Sequence, residues 1–381
     1  MSGLAKVARI LGAEVSGSDR ALHGHDAANV PEGAEVVYSS AIAPENPERR
    51  PPEMHRADLL GELTRLKPTI AVSGTHGKTT TTSMIVHAMR NPSYLVGGEV
   101  RSTGTNADWT DGRWLVVEAD ESDRSLLKLS PTIAVVTNAE LDHHTTYASS
   151  KDVEDTFAAF LALAAQPVVP PELVRLAPQA TVFDEVAVQL QVPGAHNARN
   201  AAAALTAIRL AGEDVAFAAE ALKSFQGARR RFEDLGTFNG ARIVDDYAHH
   251  PTEVRATIAA ARTQQPRRVV ALFQPHLYSR TQREAHAFGA ALAAADLPVV
   301  LDVYPARERA ADFPGVTGLL VAQAAADAGG GKRVAWMKDH ARAEAFLRRE
   351  LQPGDLLLTM GAGDVDRVGQ GLAAAGRSSG Q

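Results

Sequence analysis

Between residues 241 and 360, short apolar runs alternate with longer stretches of helical period. The runs 241–244, 268–273, 297–303, 333–337 and 355–360 read as strands. The stretches 251–262, 280–295, 317–326, 340–351 and 364–375 read as helices. Such βαβ alternation predicts a doubly wound parallel sheet, whose ligands bind at the carboxyl ends of the strands. Upstream the pattern is less regular. A helix is predicted over 4–11 and strands over 13–16 and 35–39. Apolar runs at 69–72, 114–117 and 132–137 have the character of buried parallel strands. Helical stretches follow at 83–90, 197–211 and 215–225. A chain of 381 residues is too long for one core, so two or three α/β domains are expected.

The first of those buried runs feeds the most informative segment, Gly74-Thr75-His76-Gly77-Lys78-Thr79-Thr80. Strand, glycine-rich turn, Lys-Thr and helix is the layout that holds nucleotide phosphates. Glycines let backbone N–H groups turn toward phosphate oxygens, and the helix N-terminus adds partial positive charge. Lys78 is placed to reach the β- and γ-phosphates, and the Thr79 hydroxyl to ligate Mg²⁺. Val72 stands where the common phosphate loop has a further glycine, so this is a shorter form. The plain alternative is a Gly-Lys-Thr in an ordinary loop; the flanking strand and helix weigh against it.

Composition narrows the classes. A net charge of −6 argues against broad nucleic-acid binding. There is no cysteine, which excludes disulfides, thiolate metal sites and cysteine nucleophiles and fits a cytoplasmic setting. No run of 18 apolar residues suggests a membrane span, and residues 1–12 are too short and broken for a signal peptide.

Other polar groups cluster behind the apolar runs. Glu118-Ala119-Asp120-Glu121-Ser122-Asp123 follows the run 114–117. A carboxylate there is well placed to hold Mg²⁺ on nucleotide oxygens, although a solvated acidic turn has the same composition. Thr137-Asn138 with Asp142-His143 follows the next run, and His143 suits a second metal or the transferred phosphoryl group. Asn197 and Asn200, three apart near a helix start, either read a purine edge or cap the helix. Asp245, Asp246 and His249 end one strand; His276 and Arg280 follow another. An arginine at such a helix start suits phosphate or carboxylate recognition, or is a plain surface residue.

In this order, these motifs resemble the Mur ligase family. The resemblance spans residues 1 to about 363. It is carried by Met1-Ser2-Gly3-Leu4-Ala5, Ser16-Gly17-Ser18-Asp19, Ser39-Ser40-Ala41-Ile42, the phosphate loop, Glu118 to Asp123, Thr137-Asn138, Asp142-His143, His196-Asn197 with Asn200, Arg230-Arg231-Phe232, residues 245–254 and 273–281, and Gly361-Ala362-Gly363. It implies three domains: a UDP-sugar-binding Rossmann-like domain over 1–67, apparently truncated, a central P-loop ATPase-like domain over 68–231, and a C-terminal Rossmann-like domain over 232–381. It also implies ATP-dependent joining of L-alanine to the lactyl carboxylate of UDP-N-acetylmuramate through an acyl phosphate, in peptidoglycan precursor synthesis. ATP and Mg²⁺ would be the cofactors. By this resemblance Lys78 and Thr79 hold phosphates and metal, Glu118 takes a first magnesium and His143 a second. Asn197 and Asn200 face the adenine and Asp246 the ribose. Arg231, His249, His276 and Arg280 surround the phosphates and the amino acid. A monomer or weak homodimer is expected, with neither nucleic acid nor membrane as partner. Two other readings are a relative that attaches a recycled tripeptide and a non-catalytic nucleotide-binding relative.

Departures from the family pattern are specific. The family's first strand and Gly-rich diphosphate loop do not precede the helix predicted at 4–11, so that helix is expected to have a poorly covered apolar face, and a start codon further upstream is expected. The stretch 166–192 is shorter than the family's. Arg307 stands where the family has glycine, Leu277 where a basic residue is common, and Thr145 where an acid follows the histidine.

Overall fold

In a computed structural model, residues 1–18, 24–183 and 188–379 are described, and they form two compact units. One comprises Met1–Gln191 with Asn197–Ala228; the other comprises Val192–His196 with Arg229–Gln381. Asp19, part of one motif above, lies outside the described residues, as do residues 184–187 of the shortened stretch.

The first unit opens with α1 (Ser2–Ile10), a small parallel pair β1 (Val36–Tyr38) and β2 (Glu53–His55), and α2 (Arg56–Leu66). Its main sheet is built from β3 (Thr69–Ser73), β4 (Ser93–Val100), β5 (Thr105–Asp108), β6 (Leu115–Glu118), β7 (Ile133–Val136), β8 (Gln166–Val169) and β9 (Thr181–Val182). Helices α3 (Lys78–Ala88), α4 (Ser150–Ala162), α5 (Ala195–Leu210) and α6 (Val215–Leu222) complete it. The strand order is β5-β4-β6-β3-β7-β8-β9, parallel except at the β4–β5 pair. Ile70, Ala71 and Val72 are fully buried because β3 has a strand on either side and is covered on both faces.

Two expectations for the start of this unit change. Residues 13–16 form no strand: Gly12 turns the chain at positive φ after α1, and the Arg9 guanidinium donates to the Val15 carbonyl at 2.7 Å. Nor is the apolar face of α1 poorly covered. Val7 is fully buried and Leu4 nearly so, in a core that includes Leu95 of β4 and Ala107 of β5. Gly3 allows this close approach, since a Cβ there would lie 3.1 Å from that of Ala107.

The second unit has β10 (Glu233–Phe238), β11 (Ala241–Asp246), β12 (Arg268–Phe273), β13 (Leu297–Leu301), β14 (Ala335–Met337) and β15 (Asp355–Met360). Its helices are α7 (Pro251–Thr263), α8 (Tyr278–Leu292), α9 (Gly318–Ala328), α10 (His340–Glu350) and α11 (Asp366–Ser379). Strand order is β10-β11-β15-β12-β13-β14, with only β10 antiparallel to its neighbour. Alternation along β12 divides the core. Val269, Ala271 and Phe273 pack with Ile258 of α7, Phe288 of α8 and Val321 of α9. Val270 and Leu272 pack with Leu347 of α10 and Leu372 of α11. The sheet is therefore wound on both faces, as the sequence pattern implies.

α8 and α9 meet at Gly289. A Cβ there would come within 2.5 Å of the carbonyl carbon and Cβ of Ala324, closer than packed atoms tolerate. Gly289→Ala is expected to push the helices apart and destabilise the unit by about 1–3 kcal/mol. A melting curve followed by circular dichroism checks this, and an unchanged midpoint would show that the helix pair is not tightly held.

Candidate active site

Three adjacent parallel strands bring the first group of predicted residues together. β3 lies between β6 and β7, with Val72 beside Glu118 and Ser73 beside Val136. The turns after all three strands thus open on one end of the sheet. Gly74 and Gly77 have φ of 131° and 81°, a region that favours glycine. A Cβ on Gly74 would lie 2.2 Å from Thr137 Oγ1, and one on Gly77 2.6 Å from Asn200 Oδ1. The loop is strapped to the segment after β7. His76 N–H donates to Asn138 Oδ1 at 2.9 Å, Asn138 Nδ2 donates to the His76 carbonyl at 2.8 Å, and Thr75 Oγ1 donates to the Glu140 carbonyl at 2.9 Å.

α3 starts at Lys78 rather than near residue 83. Thr79, Thr80, Thr81 and Thr82 are all buried, and Thr82 Oγ1 returns to the Lys78 carbonyl at 2.8 Å. Burial against the sheet overrides the poor helix propensity of a threonine row. Lys78 Nζ donates to the Gly74 carbonyl at 2.7 Å, to the Thr75 carbonyl at 3.2 Å and to Glu121 Oε1 at 2.8 Å. Burial opposes its charge, but Glu121 and then Glu118 outweigh burial and hold the Lys78 pKa above its ordinary value. Thr79 Oγ1 donates to Glu118 Oε1 at 3.1 Å, while Glu118 Oε2 accepts from Gly97 N–H at 2.8 Å. His143 adopts φ of 51°, its N–H bonded to Asp142 Oδ1, which turns Nε2 to within 3.4 Å of Glu121 Oε1. Asn197 and Asn200 are buried inside α5, which starts at Ala195, so neither caps it. Asn200 Nδ2 lies 3.4 Å from Asn197 Oδ1.

The remaining predicted residues belong to the second unit. Arg230, at φ of 58°, donates through Nε to Asp245 at 2.8 Å and through Nη1 and Nη2 to the Gly363 and Gly361 carbonyls at 2.9 and 2.8 Å. Arg231 approaches Glu253 at 3.8 Å, and Glu253 also lies 3.2 Å from His249 Nδ1. The His249 ring packs edge-on to His276 at 6.2 Å, and His276 stacks on Tyr304 at 5.8 Å. Arg280 is buried in the first turn of α8. Arg307 is exposed. Asp246 uses both oxygens locally, accepting from Phe232 and Ala248 N–H at 2.8 Å each.

Comparison with known proteins bears on both units. Residues 230–363 match the family described as "Mur ligase, glutamate ligase domain". The chain is 40% identical over 438 residues to the UDP-N-acetylmuramate–L-alanine ligase of Streptomyces griseus, covering 97% of this chain and 93% of that one. The chain belongs to the Mur ligase family. It is also 40% identical to the UDP-N-acetylmuramate–L-alanine ligase of Rubrobacter xylanophilus, over 98% of this chain and 97% of that protein. Among solved structures, the UDP-N-acetylmuramate–alanine ligase of Thermotoga maritima superposes with a TM-score of 0.78 at 26% identity, covering 93% of this chain and 88% of that one. The fold is the three-domain Mur ligase fold.

Sequence reasoning did not single out Glu121 among the acids of this Mur ligase. Four acids fall within six residues, and only tertiary contacts sort them. Glu118 faces Thr79 and Gly97; Asp120 and Asp123 pair with Arg56 at 2.9 and 3.1 Å; Glu121, 2% exposed, takes Lys78. The signal available was its position, three residues beyond the end of a buried strand beside the phosphate loop.

Asp246 generates a pH prediction. Burial pushes its pKa from 3.8 up to about 6, against Arg231 and its two N–H donors. The folded protein then holds a proton that the unfolded chain releases, so stability falls as pH rises from about 4 to about 6 and is level above. The full cost is about 3 kcal/mol. Asp246→Asn cannot ionise and should flatten that stretch of the curve. Melting of both proteins at steps from pH 4 to 7 checks this; parallel curves would refute it.

Proposed function

We propose that this Mur ligase joins L-alanine to the lactyl carboxylate of UDP-N-acetylmuramate, converting ATP to ADP and phosphate. The observation that carries the reading is the phosphate loop with Lys78 and the Thr79–Glu118 pair at one strand end, in a chain 40% identical to ligases named for that reaction. Residues 1–67 are assigned to the sugar nucleotide, 68–231 to ATP and 232–381 to completing the ligase site. Substrates of this kind support a cytoplasmic setting; among the described residues no helix is long and apolar enough to cross a membrane.

The chemistry follows from the substrates. A carboxylate is a poor acyl donor because its charge is delocalised and oxide is a bad leaving group. A carboxylate oxygen therefore attacks the γ-phosphorus of ATP, the bond to the ADP oxygen breaks, and an acyl phosphate results. The alanine nitrogen, having lost a proton, then attacks the acyl carbon, and the C–O bond breaks to release phosphate. The enzyme's contribution is positioning, neutralising charge and keeping water from the acyl phosphate.

Lys78, held by two loop carbonyls, would carry its charge to the transferring phosphoryl group. Thr79 Oγ1 and the Glu118 carboxylate, 3.1 Å apart, are hard oxygen donors that fit a magnesium ion. Bound there, magnesium would neutralise charge on the phosphate oxygens. His143 offers Nε2, 3.4 Å from Glu121 Oε1. The two amides Asn197 and Asn200, with Asn200 against Gly77, would face the adenine. In the second unit Arg231, His249, His276 and Arg280 would receive the phosphates and the amino acid, and Asp246 the ribose.

Lys78→Ala is expected to lower turnover about a hundredfold or more while the protein still folds, because it removes charge from the transferring group. Phosphate release should require UDP-N-acetylmuramate and L-alanine together, with glycine and serine as weak substitutes, since one methyl group discriminates by about 1–3 kcal/mol. Near-normal turnover in the variant would sink the site. A tripeptide that outcompetes L-alanine would move the enzyme to the tripeptide-attaching reading, for which the exposed Arg307 is the feature to change next.

Glu118→Ala and His143→Ala are each expected to raise the magnesium concentration needed for half-maximal rate. Titrating MgCl₂ at saturating ATP measures it. Wild-type magnesium curves in both variants would remove these residues from the metal sites.

A further inference from the structure

Lys78 has three N–H donors, and the chain satisfies all three, at Gly74 O, Thr75 O and Glu121 Oε1. Two of these acceptors are neutral carbonyls of the phosphate loop itself. The third is a carboxylate at 2% exposure. An oxygen of a nucleotide phosphate reaching Nζ has to share or displace one of them. Of the three, the carboxylate is the one that repels it, because both are anions seeking the same ammonium.

Glu121 is itself held in place by more than the lysine. Tyr147, fully buried, donates its hydroxyl to the Glu121 carbonyl at 2.6 Å. Thr146 Oγ1 donates to the Ser122 carbonyl at 2.6 Å. These bonds fix the backbone that carries the carboxylate. Its Oε2 is buried with no hydrogen-bond partner among the described residues, and His143 Nε2 stands 3.4 Å from Oε1. A second cationic or donor group is thus within reach of Glu121 without movement of its backbone.

Resting on the function proposed above, we propose that Glu121 is a positioning residue that stands in for the nucleotide phosphate at Lys78. It holds the ammonium on the loop and is displaced by the phosphate. Glu121 belongs to neither the metal nor the catalytic set assigned above. Its place follows from competition between two anions for one buried ammonium. Affinity is lost by this arrangement, and an aimed lysine is gained.

The sign of the effect separates this role from a merely structural one. Damage to the fold weakens nucleotide binding, whereas removal of a competing anion strengthens it. Isothermal titration with ADP in EDTA, with no magnesium present, is the test. Glu121→Gln should bind ADP about tenfold more tightly than wild type. ADP should also raise its melting temperature more than it raises that of wild type. In the ligation assay the same variant should show a lower kcat with no rise in KM for ATP. Glu121→Asp keeps the charge but draws it back by one methylene; its ADP affinity should fall between the two, and it carries the test if the glutamine variant does not fold. Equal or weaker binding by a folded Glu121→Gln, or by Glu121→Asp in its place, overturns the inference and leaves the function standing. Failure of wild type to bind ADP even with MgCl₂ present would overturn the function, and the inference with it.

Discussion

The charge on Lys78 has to be kept where its side chain is only 16% exposed, and the site of the first unit follows from that demand. An ammonium so placed needs acceptors on every N–H and a negative partner nearby. The loop supplies two carbonyls with Gly74 and Gly77 at backbone angles that favour glycine, each too close to a neighbour for a side chain. The negative partner comes from the turn after β6, which reaches the lysine because β6 is the direct neighbour of β3. Thr137 and Asn138 then fix the loop from the opposite side, after β7. Strand order, glycine placement and the acidic turn are thus one solution to one electrostatic problem.

What could be read from the sequence was what depends on local pattern. Phosphate-loop glycines announce themselves because their backbone angles admit little else. The β12 and β15 runs were legible to the residue, since these central parallel strands carry unbroken apolar stretches at 269–273 and 356–358. Polar elements were not. β10, Glu233 to Phe238, is an antiparallel edge strand with a bulge between Asp234 and Gly236, and most of its residues are partly exposed, so it shows no apolar run. The start of α3 was hidden by four threonines that form a helix only because the sheet buries them. Nor could α1 be placed, because its cover comes from β4 and β5, about a hundred residues away. Among the site residues, type and order were legible, while the division of labour among Glu118, Asp120, Glu121 and Asp123 depended on contacts over tens of residues.

Both units use a buried carboxylate at a strand end to hold a cation, and the two cations are held in different ways. Asp245 is 1% exposed, and burial raises its pKa despite Arg230 and the Thr359 hydroxyl at 2.6 Å. Arg230 spends its planar fork on three fixed acceptors: that carboxylate and the carbonyls of Gly361 and Gly363. A guanidinium locked at three points in one plane has no direction left in which to exchange a partner without breaking the glycine turn it supports. Its role is to hold the loop after β15 against the end of β11.

Lys78 presents the opposite case. An ammonium is a point charge on a flexible stem, and its three donors can be redistributed by small rotations. Two of its acceptors belong to the loop that carries it, so they move with it and cost nothing to keep. Only the Glu121 contact bridges to another segment of the chain, and only there does an anion face an anion's place. Exchange at that one contact leaves the loop, the helix start and the Thr79–Glu118 pair undisturbed. A lysine is therefore suited to a position where one partner can be exchanged, and an arginine to a position where a turn is kept closed.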